Sequence, residues 1–150
     1  MKRSFGMAIV LLMGMSAMAQ LNPVNWTFTA KRTGDKMIEV EMKATIDEDW
    51  HLYSQIQPED AVILPTTFII NPNPLFTLDG KIIETGKLEK FTDKKLGFSA
   101  NQYSNTVTFV QRIKLRGNAK TNVTGTVEFQ TCDNKKCLPP RRVSFSVPVK

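Results

Sequence analysis

The chain's 150 residues contain only two cysteines, Cys132 and Cys137, with four residues between them. They lie in Phe129-Gln-Thr-Cys-Asp-Asn-Lys-Lys-Cys-Leu-Pro-Pro140. A cysteine pair braces a fold, holds a metal or exchanges electrons, and spacing separates these uses. Bracing gains most from long loops; closing a six-residue ring constrains the unfolded chain by roughly 2 kcal/mol at best. Two thiolates and the single, distant His51 do not complete a tetrahedral ligand set, so no metal is expected. A dithiol that opens and closes fits the spacing better, with an inert hairpin disulfide as the competing reading.

The flanking residues suit exchange chemistry. Lys135 and Lys136 favour the thiolate of a neighbouring cysteine, whereas Asp133 opposes it. The thiolate is the attacking species, and a pair supplies one attacking and one resolving sulfur. Pro139 and Pro140 stiffen the exit of the turn and fix the direction of Cys137. This chemistry needs only the two sulfurs, so no cofactor is expected.

Exchange also requires a permissive compartment. Lys2 and Arg3 form a positive n-region, Phe5 to Met15 is a short apolar run, and Ala17-Met-Ala19 reads as a cleavage signal before Gln20. Residues 1–19 are therefore predicted to be a secretory signal cleaved after Ala19, and residues 20–150 a single domain. An exported chain meets oxidants, and the periplasm is the expected address. No later segment approaches 18 apolar residues, so no stable membrane insertion is expected after cleavage. The formal net charge of +6 falls to +4 with the loss of Lys2 and Arg3. That modest excess, spread along the chain without interleaved aromatics, excludes a nucleic-acid interface.

The hydrophobic period is two almost throughout. Ile38, Val40, Met42, Ala44 and Ile46 alternate with polar residues, as do Trp26, Phe28 and Ala30, with Gly34-Asp35 as the turn between. Val107, Phe109, Gln111, Ile113 and Leu115 continue the pattern, Gln111 being its polar exception. Val123, Val127 and Phe129 predict another strand, and Val143, Phe145, Val147 and Val149 a last one. Ala61 to Ile70 carries Pro65 and predicts an edge or bent strand. Residues 71–102 read as a long irregular stretch, with short strand pieces near Leu75–Leu78 and Lys81–Ile83. Seven to nine short antiparallel strands without a helix predict an all-β, immunoglobulin-like β-sandwich. The cysteines then face one another at a hairpin end, where opposed Cα atoms lie about 4.5–5.5 Å apart.

The segment Val127–Pro140 resembles the active-site hairpin of the N-terminal periplasmic domain of the thiol:disulfide interchange protein DsbD. Asp49-Trp-His-Leu-Tyr-Ser-Gln55 is similar to the tyrosine-containing strand that precedes that site. The resemblance covers about residues 24–150. It implies a sandwich that relays electrons, taking them from a separate thioredoxin-like or membrane reductase. The acceptors would be periplasmic disulfide-containing proteins, among them disulfide isomerases and the thioredoxins of cytochrome c biogenesis. It further implies that Cys137 attacks the partner's disulfide and that Cys132 resolves. Two departures stand out. The family's best-known members have five residues between the cysteines rather than four, and the chain stops at Lys150 without transmembrane or thioredoxin-like portions.

The same resemblance implies an aromatic cap over the cysteines. Phe91 and Phe98, within Glu89-Lys-Phe-Thr-Asp-Lys-Lys-Leu-Gly-Phe98, are the cap candidates. Tyr53 is expected to hydrogen-bond near the hairpin. His51 shares its face of the strand and is either a base toward a thiol or a packing residue. Glu89 and Asp93 read as solvated. The alternatives to a relay are an exported immunoglobulin-like binding module and an envelope-complex accessory domain offering a sheet edge, both with a permanently closed pair.

Overall fold

The computed structural model describes residues 21–150, all in strands, turns and loops. The predicted signal segment 1–19 lies outside the described residues. Eleven strands follow in order: β1 (Val24–Arg32), β2 (Met37–Ile46), β3 (His51–Tyr53), β4 (Thr67–Ile70), β5 (Phe76–Gly86), β6 (Glu89–Asp93), β7 (Phe98–Tyr103), β8 (Thr106–Leu115), β9 (Thr121–Phe129), β10 (Thr131–Cys132) and β11 (Arg141–Val149). All pairings are antiparallel.

A four-stranded sheet, β1-β2-β8-β5, and a three-stranded sheet, β11-β9-β4, form an immunoglobulin-like sandwich. Alternation dictates the core between them. Ile38, Val40, Met42, Ala44, Val107, Phe109, Ile113, Val123, Val127 and Phe129 are buried. Aromatic rings fill the middle: Trp26 lies 5.9 Å from Phe109 and 5.4 Å from Phe129, and Phe28 stacks on Phe145 at 4.8 Å. Such rings bring large apolar area to a core that no disulfide crosses. β4 occupies a sheet edge and begins after Pro65, as that proline requires.

The stretch 71–102 is not irregular, and the strand count exceeds the expected seven to nine. It holds β5, β6 and β7. The expected short pieces at 75–78 and 81–83 are one edge strand, β5, whose register shifts between Asp79 and Ile83. Gly80 there adopts φ 74°, a conformation that favours glycine. The bulge breaks the alternation, and edge placement leaves Leu78 and Ile83 exposed, so the period-two signal vanishes. It also explains Gln111: the buried amide donates to the Gly80 carbonyl at 3.2 Å and to the Arg112 carbonyl at 2.7 Å.

A second four-stranded sheet, β10-β3-β7-β6, stands at one end of the sandwich. Its strands prolong those of the main body after short breaks. β2 runs through Asp49 (φ 66°) into β3, β7 turns at Asn105 (φ 63°) into β8, and β9 passes Gln130 into β10. Glu84 of β5 anchors the extension, accepting from Ser54 Oγ at 2.7 Å, the Gln55 amide at 2.6 Å and the Tyr103 hydroxyl at 2.7 Å. Burial and the Glu84 carboxylate raise the Tyr103 pKa, keeping that phenol a donor. Leu52 and Tyr103 point from this sheet into the main core.

Gly125 of β9 is where packing tolerates no side chain. An added Cβ would lie 2.3 Å from the Ile69 carbonyl oxygen and 2.8 Å from the Phe145 ring. Gly125→Ala is expected to cost about 1–3 kcal/mol by overpacking, read as a lower denaturation midpoint. A midpoint equal to wild type would contradict this packing.

Candidate functional site

The cysteine hairpin is built from backbone geometry outward. Cys132 and Cys137 form a disulfide, with Cα atoms 4.0 Å apart. They are an isolated antiparallel bridge, flanked by hydrogen bonds from Asp133 N–H to Lys136 O and from Leu138 N–H to Thr131 O, both 2.9 Å. This is the non-hydrogen-bonded type of pair, which brings opposed residues closest. The separation is shorter than the 4.5–5.5 Å range expected for opposed strands.

Asp133 shapes the turn. Its Oδ1 accepts the amide hydrogens of Lys135 and Lys136, each at 2.7 Å. These two bonds, together with the lysine charges, lower its pKa. The expected effect of Asp133 on a thiolate is thus joined by a structural one: its charge holds the turn that carries Cys137. Lys135 and Lys136 are exposed and line the same cavity as the sulfurs.

The two cysteines are unequally placed. Cys132 is 4% exposed and packs with Tyr53, Ala100 and Ile63, whereas Cys137 lies exposed at the rim. A cavity of about 500 Å³ opens between the hairpin and the face of the small sheet. Register explains its walls. Cys132 stands opposite His51, Tyr53 opposite Gln102, Phe91 opposite Ala100, and Asp93 opposite Phe98. Because cross-strand partners share a face, all of these side chains belong to one surface of the sheet.

The sequence-derived candidates therefore converge. His51, Tyr53, Phe91, Asp93, Phe98 and Asp133 all line the cavity with both cysteines. Burial pushes the Tyr53 pKa up to about 12, so it remains a neutral phenol. Among the described residues its hydroxyl makes no hydrogen bond to the cysteine hairpin; its ring packs beside Cys132 instead. Glu89 is not simply solvated: it accepts from Ser104 Oγ at 3.0 Å. Asp93 caps a turn as Asp133 does, its Oδ1 accepting the amides of Lys95 and Leu96 at 2.8 and 2.9 Å.

That second turn is the tip of the β6–β7 hairpin, closed by Gly97 at φ 70° and by its amide on the Asp93 carbonyl at 2.8 Å. It carries Leu96, 75% exposed yet lining the cavity. Phe91 and Phe98 lie behind it with ring centroids 6.0 Å apart. Leu96, Gln102 and Ser104 escaped the sequence reading. An apolar residue at a capped turn tip (Asp93-Lys-Lys-Leu-Gly97) was the available signal for Leu96; Gln102 and Ser104 join the site only through strand pairing.

Comparison with known proteins bears on this geometry. A family model for the N-terminal domain of the thiol:disulfide interchange protein DsbD matches residues 18–148. The chain belongs to the DsbD N-terminal domain family. The N-terminal periplasmic domain of ScsB from Proteus mirabilis is similar in structure, with a TM-score of 0.52 and 16% identity; the likeness covers 84% of this chain and 44% of that one. The reduced N-terminal domain of Neisseria meningitidis DsbD gives a TM-score of 0.49 and 14% identity over 81% of this chain and 82% of that one. No curated protein matches the sequence. Among the described residues no helix is long and apolar enough to cross a membrane. The ScsB likeness shows a shared fold for this DsbD-type domain, in which the disulfide and its cavity sit at the end sheet.

The Asp133 turn yields a pH prediction. A carboxylate whose folded pKa is lowered stabilises the turn fully above its unfolded value and loses that contribution as pH falls through the folded one. The Lys135 and Lys136 amide resonances are therefore expected to titrate together, with a midpoint below the ordinary aspartate value of 3.8. A midpoint at or above that value would remove the carboxylate from the turn.

Proposed function

We propose that the chain is an exported thiol–disulfide exchange domain that shuttles electrons through Cys132 and Cys137. One observation carries the reading: the disulfide joins an exposed sulfur-bearing residue to a buried one at a cavity that Phe91, Leu96 and Phe98 also line. Exchange needs one sulfur within reach of a partner and a second held close to release it. Cys137 takes the first role and Cys132 the second. Lys135 and Lys136 beside the rim favour the Cys137 thiolate. The cap hairpin supplies apolar cover from Leu96, Phe91 and Phe98, and moving it aside would admit a partner.

Family membership supports the remaining assignments. Residues 1–19 are removed on export, and residues 20–150 act as one periplasmic domain. A separate thioredoxin-like or membrane reductase exchanges electrons with it on one side. Periplasmic disulfide-containing proteins, including those serving cytochrome c biogenesis, do so on the other. The binding-module alternative keeps the disulfide closed throughout.

Two experiments test the reading. A Cys132→Ser variant is expected to accumulate a mixed disulfide through Cys137 in cells, seen as a thiol-sensitive band on non-reducing gels, and Cys137→Ser is expected to give none. No covalent adduct from Cys132→Ser would favour the binding module. Leu96→Ser is expected to speed the reaction of Cys137 in the reduced protein with small, non-cognate disulfides several-fold. An unchanged rate would deny the hairpin tip a covering role.

A further inference from the structure

The resolving sulfur has a neighbour that the exchange reading does not use. His51 stands directly opposite Cys132 in the β3–β10 pair, so the two side chains project from the same face as nearest cross-strand neighbours. Continuing the β3–β7 register by one residue brings Ser104 to the other side of His51, and His51 Nδ1 lies 3.0 Å from Ser104 Oγ. Ser104 Oγ in turn lies 3.0 Å from Glu89 Oε2. Cysteine, histidine and serine thus form one row across three strands, ending on a carboxylate.

The direction of these bonds follows from counting hydrogens. A carboxylate only accepts, so the single Ser104 hydroxyl hydrogen goes to Glu89. Ser104 Oγ must then accept, and the donor is His51 Nδ1–H. The neutral ring is left with its lone pair on Nε2, and the residue lines the cavity that also holds both cysteines. Ser104 and Glu89 thereby fix the tautomer and the orientation of the ring. The arrangement has the logic of a nucleophile, a base and an orienting group.

Cys132 is where such a base is needed. Exposed Cys137 ionises in water beside lysines, but Cys132 is buried against Tyr53, Ala100 and Ile63, where burial favours the neutral thiol. We propose that His51 is the general base for Cys132 in the resolving step, oriented by Ser104 and Glu89. This rests on the thiol–disulfide exchange reading. In the mixed disulfide between Cys137 and a partner, His51 Nε2 takes the Cys132 thiol proton. The resulting thiolate attacks the Cys137 sulfur, the Cys132–Cys137 bond forms, and the bond from Cys137 to the partner's sulfur breaks. That sulfur leaves as a thiolate and recovers the proton from His51. The cysteine pair loses two electrons and the partner's disulfide gains them. In reverse, the same imidazole protonates Cys132 as the pair opens.

The titratable groups facing the ring from the elements around it are Cys132 of β10, Glu89 (through Ser104) and Asp93 of β6, Tyr53 of β3, and Asp133, Lys135, Lys136 and Cys137 of the hairpin. Tyr53 stays neutral, and the Asp93 and Asp133 carboxylates are engaged by their own turns.

Reduced protein mixed with one equivalent of dithiobis(nitrobenzoate) separates the two steps. The first thionitrobenzoate reports attack by Cys137 and depends on concentration; the second reports resolution by Cys132 and does not. In His51→Gln the second phase is expected to slow on the order of 10²-fold near neutral pH, with the first essentially unchanged. Its pH profile should also differ from wild type, because the base that shares the thiol's proton is gone. Ser104→Ala keeps the ring but loses its orientation, and should slow the same phase less. If His51→Gln does not fold, Ser104→Ala decides. An unaltered second phase and pH profile in the folded variant would overturn the role of His51. Failure of the exchange reading shows differently: wild-type disulfide would then resist excess dithiothreitol under native conditions.

Discussion

The strand register of the small end sheet is the constraint on which the site depends. Cys132 opposite His51, Tyr53 opposite Gln102, and Phe91 opposite Ala100 put the cavity-lining residues of the sheet on one face. A slip of one residue in any of these strands would send its site residues into the core and bring Leu52 or Tyr103 to the surface. Both are buried in the main cluster, so the register is held by hydrophobic burial on the opposite face. The same apolar residues that attach the end sheet to the sandwich therefore aim its cavity-lining side chains outward.

The unequal exposure of the two cysteines follows from that placement. Cys132 belongs to β10, a continuation of β9 beyond Gln130, and shares the burial of the sheet it joins. Gln130 ties the crossing point on both sides, accepting from the Leu64 amide at 3.0 Å and donating to the Leu138 carbonyl at 3.3 Å. Cys137 belongs to the turn, which Asp133 holds open to solvent. The β6–β7 hairpin mirrors this arrangement: Asp93 fixes a second turn by the same kind of bonds and presents Leu96. Two aspartate-capped turns thus carry the exposed cysteine and the exposed Leu96 at opposite edges of one sheet.

Much of this was legible in the residues. The sandwich strands that bury one face announce themselves through alternation, and β2, β8, β9 and β11 lie where Ile38–Ile46, Val107–Leu115, Val123–Phe129 and Val143–Val149 place them. The cysteine pair was evident from its spacing, Tyr53, Phe91 and Phe98 came from the resemblance to the DsbD hairpin domain, and strand parity added His51 to the face of Tyr53. The end sheet was not. Its strands are two to six residues long, too short for a periodic signal. β5 lost its pattern to a bulge whose partner, Gln111, appeared only as an unexplained polar residue among apolar ones. Ser104 and Glu89 gain meaning only when pairing sets them beside His51, since nothing local in the chain links positions 51, 89 and 104.

Membership of the DsbD N-terminal domain family and a disulfide of unequally exposed cysteines beside an apolar-lined cavity lead to the same account, in which the bond is made to be exchanged. Equilibration of the protein with glutathione and dithiothreitol redox buffers tests it most directly. The account predicts a Cys132–Cys137 reduction potential between about −270 and −120 mV, the span of thioredoxin-type exchange proteins. A potential below about −300 mV, where structural disulfides of exported proteins lie, would contradict it.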